Sequence, residues 1–499
     1  MTISKSDYML FLKHPAWLWL KKYDKSKLPE PDESLQARFD EGNLFEEYAE
    51  KLFTGGVKLG YKTNGEFDGN KYSSLPALTK REIEKNTAVI FQGRIEIDNL
   101  TCIFDVLERV EKNIFDLYEI KSSTSVKPEY IPDLAFQTIV LEKSGLNIRN
   151  TYVIHVNNEY IRNGDIDPKQ LASEKEDVTQ DVRACLDDMV NNIGKAVDIL
   201  SQKKMPDISP RHLKQGSMEE WIQIFEAVKG KLPEYSLYRL CSLNAKKVGL
   251  LEDLGVELME DIPDDFELSE RQQSQVSAVK QGKQIINRNE IKNFLDKFKY
   301  PLYFLDYETF AGVIPAFDGI RPYQQVPFQY SLHILRSPDG ESEHREYLHM
   351  INTNPCEPLL QQLKNDIGEE GTILVWHESF EKSRNKEMAD MFPKYESFLI
   401  DLNDRMIDLK IPFSEEWFVD KDFFGSASIK DVQPVLVPGR GYSGLEISNG
   451  SMAQRIWMET FLYDKNNDKK DKIIKDLLEY CKDDTLNMYK ILKYLYAII

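Results

Sequence analysis

Cysteine is scarce in this sequence and is not arranged for cross-linking or for holding a metal ion. The five cysteines among 499 residues are isolated from one another, and no pair has the CxxC spacing of a zinc site or a redox motif. An odd number of separated thiols argues against a disulfide framework. The pattern is typical of a protein from a reducing compartment, and we expect a cytoplasmic one.

Long apolar runs are lacking too. No uninterrupted run approaches the length of about 18 residues that a membrane-spanning helix requires. Charged side chains interrupt the apolar stretches of the N-terminal segment, residues 1–27, which argues against a cleavable signal peptide. The sequence therefore predicts a soluble chain without a membrane partner.

Positive charge is in deficit. The chain has 64 Lys and Arg against 83 Asp and Glu, which gives a net charge of −19. Binding to nucleic acid is largely electrostatic, so this balance argues against broad, non-specific binding to phosphate backbones. The hydrophobic share of 41% and the charged share of 29% are ordinary for globular proteins, and the length predicts two or three domains.

The order of helix-like and strand-like segments divides the chain into three parts. Residues 1–206 and residues 296–499 each mix strands with helices, whereas residues 207–295 are mostly helical. We therefore expect two α/β domains joined by a helical connector. Within the connector, Leu251–Val256 has the Leu-x-x-Leu-Gly-Val pattern of helix-hairpin-helix modules. A plain helix end at the glycine is an equal alternative, because glycine commonly terminates helices.

The first group of candidate catalytic residues lies in a predicted β-hairpin with its turn near Val110–Asn113. Glu119 and Lys121 are two residues apart in one strand, so their side chains share a face, and strand pairing would bring Asp105 opposite them. Two carboxylates suit Mg²⁺ or Mn²⁺, and the lysine suits a developing negative charge, as phosphodiester hydrolysis requires. The alternative is a surface hairpin with alternating charges.

The residues that follow strengthen the catalytic interpretation. The order of motifs resembles that of the PD-(D/E)XK nucleases, restriction-endonuclease-like proteins, in the branch related to the RecB nuclease domain. That resemblance implies that Asp105 and Glu119 are metal ligands, that Lys121 is the catalytic lysine, and that Gln137 supports the site from the next helix. Glu46 ends the segment GNLFE and stands where the family often has a ligating histidine. The four-cysteine spacing of iron–sulfur relatives is lacking, so we expect no cluster.

The second group is spread over the last two hundred residues. Asp306 and Glu308 are two apart in an apolar strand and share a face. Glu381 follows near the start of a middle helix, and Tyr480 and Asp484 are four apart on one side of the last helix. A two-metal phosphodiesterase requires several carboxylates from separate elements. Each pattern alone is also compatible with a strand edge or an ordinary amphipathic helix.

These motifs resemble those of the DEDD 3′–5′ exonucleases, which have a ribonuclease-H-like fold. The resemblance implies that Asp306, Glu308 and Asp484 are metal ligands and that Tyr480, the mark of the tyrosine subclass, orients the attacking water. Glu381 would be a further ligand, although the family's middle motif ends in aspartate.

The tandem of the two motif sets resembles a bacterial two-domain nuclease family over nearly the whole chain. Lys430 matches a lysine often found before the last DEDD motif and is a candidate phosphate contact; Arg321, Tyr323 and Gln329 are candidates for a groove or for packing. We expect a metal-dependent nuclease that acts on nucleic acid, with DNA favoured over RNA. Two alternatives stay open, namely a non-catalytic nucleic-acid-binding or assembly subunit with decayed sites, and a silenced defence or toxin component.

Overall fold

The chain folds as a mixed α/β protein, as the sequence predicts. The computed structural model describes residues 2–30, 33–60, 72–437, 439 and 446–499. The chain divides into two units, each assembled from more than one segment. The first contains Met1–Leu232, Asn244–Gly249 and Gly312–Tyr323, and the second contains Pro233–Leu243, Leu250–Ala311 and Gln324–Ile499.

The first unit is built around one sheet. Within the described ranges its strands are β1 (Ile3–Ser4), β2 (Val57–Lys58), β3 (Val89–Ile97), β4 (Leu100–Glu111), β5 (Ile114–Lys121), β6 (Asn147–His155) and β7 (Glu176–Asp177). They follow the order β2-β3-β4-β5-β6-β7, and β1 pairs with β4. Strands β3, β4 and β5 are antiparallel neighbours, whereas β6 runs parallel to β5. A parallel neighbour needs a crossover connection, and a helix, α5, lies between β5 and β6 in the chain.

The helices of the first unit include both surface helices and one that is almost wholly buried. They are α1 (Lys5–Lys13), α2 (Pro15–Tyr23), α3 (Glu33–Ala49), α4 (Leu75–Glu84), α5 (Tyr130–Lys143), α6 (Pro168–Leu171), α7 (Thr179–Ala184), α8 (Leu186–Ser201) and α9 (Met218–Lys229). Every side chain of α5 from Asp133 to Leu141 is buried. A helix that is apolar on all sides belongs in a core, so the polar residues on α5 need partners there.

The N-terminus is fixed beside the central strands. Ile3 pairs with Leu100 at the start of β4. Ser4 then caps α1 through a capping box with Asp7, which satisfies amide groups that the first turn of a helix leaves free. Lys5, the first residue of α1, is therefore held next to the sheet.

The second unit contains a larger sheet and a short ribbon. Its strands in the described residues are β8 (Ile285–Ile286), β9 (Leu302–Phe310), β10 (Val326–Leu335), β11 (Ser342–Leu348), β12 (Thr372–Val375), β13 (Met406–Asp408) and β14 (Phe418–Val419). The sheet has the order β11-β10-β9-β12-β13, and β8 pairs with β14. Strands β9, β10 and β11 are antiparallel, whereas β12 and β13 run parallel to β9.

The second unit also contains helices, several of which pack on this sheet. They are α11 (Glu270–Gln281), α12 (Arg288–Leu295), α13 (Cys356–Asp366), α14 (Glu378–Met391), α15 (Glu396–Arg405), α16 (Ile411–Ser414), α17 (Ile429–Leu436), α18 (Gly450–Trp457) and α19 (Lys470–Ile498). Every residue of β10 is buried, and α19 packs over β9 and β10 with Met488, Ile491 and Leu492 in the core. The helical face that buries these residues also directs the neighbouring polar side chains toward β9.

The residues of the predicted connector are divided between the two units. Helix α10 (Ala245–Asp253) contains residues of both. Gly255 follows α10 with φ of 72°, the left-handed conformation in which helices commonly end, and α11 begins only at Glu270. This geometry favours the plain helix end over a helix-hairpin-helix turn.

Among the helices that the structure describes, none combines the length and the apolar composition needed to cross a bilayer.

Candidate active sites

The hairpin β4–β5 positions the first group of carboxylates. Val106 pairs with Tyr118 in the antiparallel ladder, so the preceding Asp105 and the following Glu119 lie next to each other on adjacent strands. Asp105 accepts a hydrogen bond from the backbone N–H of Ile120, with 2.8 Å between N and Oδ2. Glu119 is only 1% exposed. A buried carboxylate needs compensating charge or hydrogen bonds, and both are present.

Two ammonium groups lie between Glu119 and Asp133. The Nζ of Lys121 is 2.6 Å from Glu119 Oε1 and 3.3 Å from Asp133 Oδ2. The Nζ of Lys5 is 3.0 Å from the same Glu119 oxygen and 3.1 Å from Asp133 Oδ1. Burial acts to raise the pKa of Glu119, but the two lysines outweigh it, and the pKa of this carboxyl is lowered. Glu119 is therefore ionised at neutral pH.

Gln137 occupies the remaining oxygen of Glu119. Its Nε2 donates to Glu119 Oε2 at 2.7 Å and to Asp133 Oδ1 at 2.9 Å. Asp133 and Gln137 are four residues apart on α5 and therefore lie on one side of that helix. Both oxygens of Glu119 are thus engaged by side chains of the chain itself.

Glu46 and Asp105 form the less compensated part of the first site. The side-chain amide of Gln92 donates to Glu46 and lies 3.4 Å from Asp105 Oδ1, while Lys58 Nζ is 4.0 Å from Glu46. Burial first and Asp105 second raise the pKa of Glu46 to about 8. Burial first and Glu119 second raise the pKa of Asp105 to about 7. Two neighbouring carboxyls with raised pKa values fit a divalent cation between them, because a cation would stabilise both in ionised form.

The first site thus brings together all five residues predicted for it and adds three that sequence reasoning missed. Those three are Lys5, Gln92 and Asp133. Asp133 had a signal, since it is a carboxylate one helical turn before Gln137. Lys5 and Gln92 had none, because a lone lysine near the N-terminus and a lone glutamine in a strand have no characteristic spacing.

Strand β9 carries the carboxylates of the second site. Asp306 and Glu308 lie on one face of a strand whose other residues are buried and, apart from Thr309, apolar. Glu308 is 7% exposed. Burial first and Asp484 second raise the pKa of Glu308 to about 8, while Lys430 acts to lower it. Burial, then Asp484 and then Glu308, raise the pKa of Asp306 as well. The three carboxyls are therefore close enough to disfavour one another's charge.

Helix α19 places Asp484, Tyr480 and Cys481 against this strand. The Sγ of Cys481 is 3.8 Å from Asp306 Oδ2. In the described part of the chain, one ligand atom each from Asp306, Glu308 and Cys481 lie within 4.8 Å of one another. Cys481 directly follows Tyr480, and a single buried cysteine in a helix has no local pattern that marks it as a neighbour of carboxylates.

Glu381 lies on α14, buried beside the same group. It is 3% exposed, and its Oε2 has no hydrogen-bond partner among the residues that the structure describes. It also contributes to the raised pKa of Asp306. Burial is the main cause that raises the pKa of Glu381 to about 8; Asp408 adds to the shift and Arg384 opposes it. A buried carboxyl oxygen without a donor fits a position that a cation would satisfy.

Lys430 lies at the edge of the second site. Its Nζ is 5.6 Å from the centre of the Tyr480 ring and 2.8 Å from the carbonyl oxygen of Ser448. This position keeps it a candidate phosphate contact. Gln329, in contrast, cannot line a groove, because it is 1% exposed and its amide donates to the carbonyl of Leu477.

The comparisons with known proteins place part of this site in a named domain. Residues 303–428 match the "Domain of unknown function (DUF2779)". The match covers about a quarter of the chain and includes Asp306, Glu308 and Glu381, whereas Tyr480 and Asp484 lie beyond it.

Three relatives from species of Mycoplasma and Ureaplasma are similar to part of this chain. "Uncharacterized protein MG366" of Mycoplasma genitalium is 24% identical over 228 residues, which are 42% of this chain and 34% of the relative. "Uncharacterized protein MG366 homolog" of Mycoplasma pneumoniae is 24% identical over 221 residues, 41% of this chain and 33% of the relative. "Uncharacterized protein UU173" of Ureaplasma parvum is 24% identical over 214 residues, 38% and 31%. The matched region spans about a third of the length of each relative, and none of the names states an activity.

Proposed function

We propose that this chain is a metal-dependent nuclease that hydrolyses phosphodiester bonds of nucleic acid at two separate carboxylate sites, with DNA as the favoured substrate. The first unit would act as a PD-(D/E)XK nuclease domain and the second as a DEDD-type 3′–5′ exonuclease domain of ribonuclease-H-like fold. The proposal includes Mg²⁺ or Mn²⁺ as cofactor, no iron–sulfur cluster and a cytoplasmic location.

The observation that carries the proposal is the arrangement of buried carboxyls in the second unit. Asp306, Glu308, Glu381 and Asp484 come from a strand and two helices. Burial together with mutual repulsion raises the pKa of Asp306 and of Glu308, and burial is the main cause that raises the pKa of Glu381. Burying charges in this way is unfavourable unless they are paired or bind a metal ion. Oxygen ligands in this number suit Mg²⁺ and Mn²⁺. A structural role would more simply be filled by apolar residues.

The roles of the side chains at the second site follow from their positions. A bound divalent cation would lower the pKa of a water molecule and stabilise charge that develops on the phosphate. Tyr480, on the same helical side as Asp484, is placed to orient a water molecule by a hydrogen bond. Lys430, beside the Tyr480 ring, is placed to attract a phosphate group.

At the first site, Glu46 and Asp105 are the pair that would hold a cation, because the pKa of each is raised. Among the described residues, the nearest ammonium group to either carboxylate that forms an ion pair with it is that of Lys58, 4.0 Å from Glu46. Lys121 is held by Glu119 and Asp133 near these ligands. Its ammonium group can stabilise negative charge on a phosphate oxygen.

A second candidate function, a nucleic-acid-binding or assembly subunit, is favoured by one observation. Both oxygens of Glu119 are already engaged, one by Lys5 and Lys121 and the other by Gln137. A ligand whose oxygens are satisfied by the protein is less available to a metal ion. In this alternative, the first site would bind nucleic acid without cleaving it.

The test is digestion of 3′- and 5′-labelled single- and double-stranded DNA and RNA with Mg²⁺, with Mn²⁺ or with EDTA. We expect metal-dependent cleavage by the parent protein, stepwise shortening from the 3′ end that Asp484→Ala abolishes, and a remaining activity that Lys121→Ala abolishes. Matched controls are Asp471→Asn, at the exposed start of α19, and Lys112→Ala, at the exposed hairpin turn. Neither should change cleavage.

Three outcomes separate the candidates. Cleavage that EDTA does not suppress, or that persists in the double variant Lys121→Ala/Asp484→Ala, would refute the assignment of both sites. Binding of labelled nucleic acid without any cleavage would support the binding subunit instead. Loss of the 3′ shortening alone in Asp484→Ala would support the exonuclease assignment.

A further inference from the structure

Cys481 introduces a sulfur ligand among the oxygen ligands of the second site. Its Sγ is 3.8 Å from Asp306 Oδ2, and one carboxylate oxygen of Glu308 completes a group of three ligand atoms within 4.8 Å of one another. In tetrahedral zinc sites, with Zn–S near 2.3 Å and Zn–O near 2.0 Å, ligand atoms are separated by roughly 3.5 Å. Small rotations of these side chains would reach that spacing.

The three groups also have unused capacity to bind a ligand. Glu308 is buried, with 7% of its surface exposed, and among the described residues no hydrogen-bond donor contacts its carboxylate. The Cys481 thiol, wholly buried, has the carboxylate and the backbone carbonyl of Asp306 as its neighbouring acceptors, 3.8 and 4.0 Å away. The thiol therefore lies on the carboxylate side of α19 and is not directed into an apolar pocket.

The donor set predicts which ions prefer this position. Thiolate is a soft ligand that selects zinc-like ions, whereas Mg²⁺ takes oxygen ligands in octahedral geometry. Divalent zinc, whose filled d shell imposes no geometry, binds both thiolate sulfur and carboxylate oxygen in tetrahedral sites. A site with one sulfur and two carboxylates thus favours zinc or cadmium over magnesium.

We propose that Cys481, Asp306 and Glu308 form a mixed thiolate–carboxylate site that binds Zn²⁺ or Cd²⁺ and thereby inhibits the second site. The metal–sulfur bond forms from the sulfur electron pair as the S–H bond breaks, and the proton passes to the buffer, so no oxidant or reductant is needed. Binding would draw Asp306 and Glu308 away from the geometry that Mg²⁺ or Mn²⁺ requires. The binding part stands by itself, and the inhibition rests on the proposed function.

The experiment is a titration of the full, metal-stripped chain with Cd²⁺, followed by the ultraviolet charge-transfer absorbance of the cadmium–thiolate bond. We expect one equivalent to produce the band in the parent protein. Cys481→Ser, which exchanges one ligand atom, should lose it, and Asp306→Asn should bind Cd²⁺ at least about tenfold more weakly. Cys356→Ser is the matched control, since Cys356 is equally buried in the same unit but belongs to no ligand group among the described residues. It should keep the band.

Inhibition is measured separately, as the Zn²⁺ concentration that halves the Mn²⁺-dependent rate, relative to each variant's own zinc-free rate. We expect Cys481→Ser to need at least about tenfold more Zn²⁺ than the parent, and Cys481→Ala to behave in the same way if the serine variant does not fold. A band that persists in both Cys481 variants, or that never forms in the folded parent, overturns the inference. A normal band in a protein without nuclease activity overturns the proposed function and leaves the metal site standing.

Discussion

Lys5 is the residue at the first site whose importance can be tested most directly. Its ammonium group is 3.0 Å from Glu119 and 3.1 Å from Asp133, and its side chain is 20% exposed. Replacement of Lys5 by methionine keeps the length and the apolar stem but removes the charge. Because Lys121 remains within 2.6 Å of Glu119 and 3.3 Å of Asp133, part of the compensation survives.

The expected loss follows from the cost of an unpaired buried charge. Removal of one partner of a buried ion pair destabilises a protein by about 3–5 kcal/mol, and the remaining Lys121 argues for the lower end. Lys21→Met is the matched control, since Lys21 on α2 pairs with Asp7 at 2.7 Å but is 37% exposed. Exposed pairs contribute less than about 1 kcal/mol, so this variant should differ little from the parent.

The assay is amide hydrogen exchange of the α5 segment, which belongs to the first unit and bears Asp133 and Gln137. A loss of about 3 kcal/mol accelerates exchange in Lys5→Met by roughly a hundredfold, because each 1.36 kcal/mol is a factor of ten. Lys21→Met should accelerate it by less than about fivefold. Lys5→Arg, which retains the charge, should restore most of the protection. Equal effects of the two methionine variants would refute the claim that Lys5 belongs to the charge network of the site.

Three other predictions concern both units. Asp484→Ala should weaken Mn²⁺ binding in a metal titration, whereas Tyr480→Phe should lower turnover with metal affinity nearly unchanged; equal metal affinities in the two variants would contradict their separate roles. Without metal, Glu381→Gln should raise the urea midpoint, since a neutral amide removes the cost of burying a carboxyl whose Oε2 has no partner in the described part of the chain. His14, buried against Trp221, has its pKa lowered by burial from 6.5 to about 4, so it binds a proton more readily when unfolded. The contribution of His14 to the free energy of unfolding is complete above pH 6.5 and falls by about 3 kcal/mol toward pH 4. Urea titrations of His14→Gln should not show this loss.

The carboxylates of both sites could be predicted because strand and helix periodicities fix which side chains share a face. Glu119 with Lys121, and Asp306 with Glu308, are each two apart in a strand, and strand pairing then fixes Asp105. The mixed α/β class followed in the same way, from alternating helix-like and strand-like segments.

The residues that sequence reasoning missed are brought to the sites by long-range pairing. Lys5 reaches Glu119 only because β1 pairs with β4, a contact between residues almost a hundred positions apart. Gln92 lies in β3 with φ of 55°, an uncommon conformation for a residue other than glycine, and no local pattern indicates it. No local pattern connects Cys481 with carboxylates either, because Asp306 lies in a strand 175 residues earlier.

The segment Gly312–Tyr323 has a practical consequence for dissecting this chain. It belongs to the first unit, although it follows β9 of the second unit in sequence. Val313 packs in the same apolar cluster as Phe45 and Tyr118, and the Tyr323 hydroxyl donates to the carbonyl of Ser122, directly after Lys121. A fragment that stops at residue 232 would expose part of that cluster and lose the hydrogen bond from Tyr323 to the backbone next to Lys121. Inactivity of such a fragment would therefore reflect a missing part of its own core. The segment Gly312–Tyr323 would have to be supplied in trans, or attached by a short linker, before the activity proposed for the first unit could be tested.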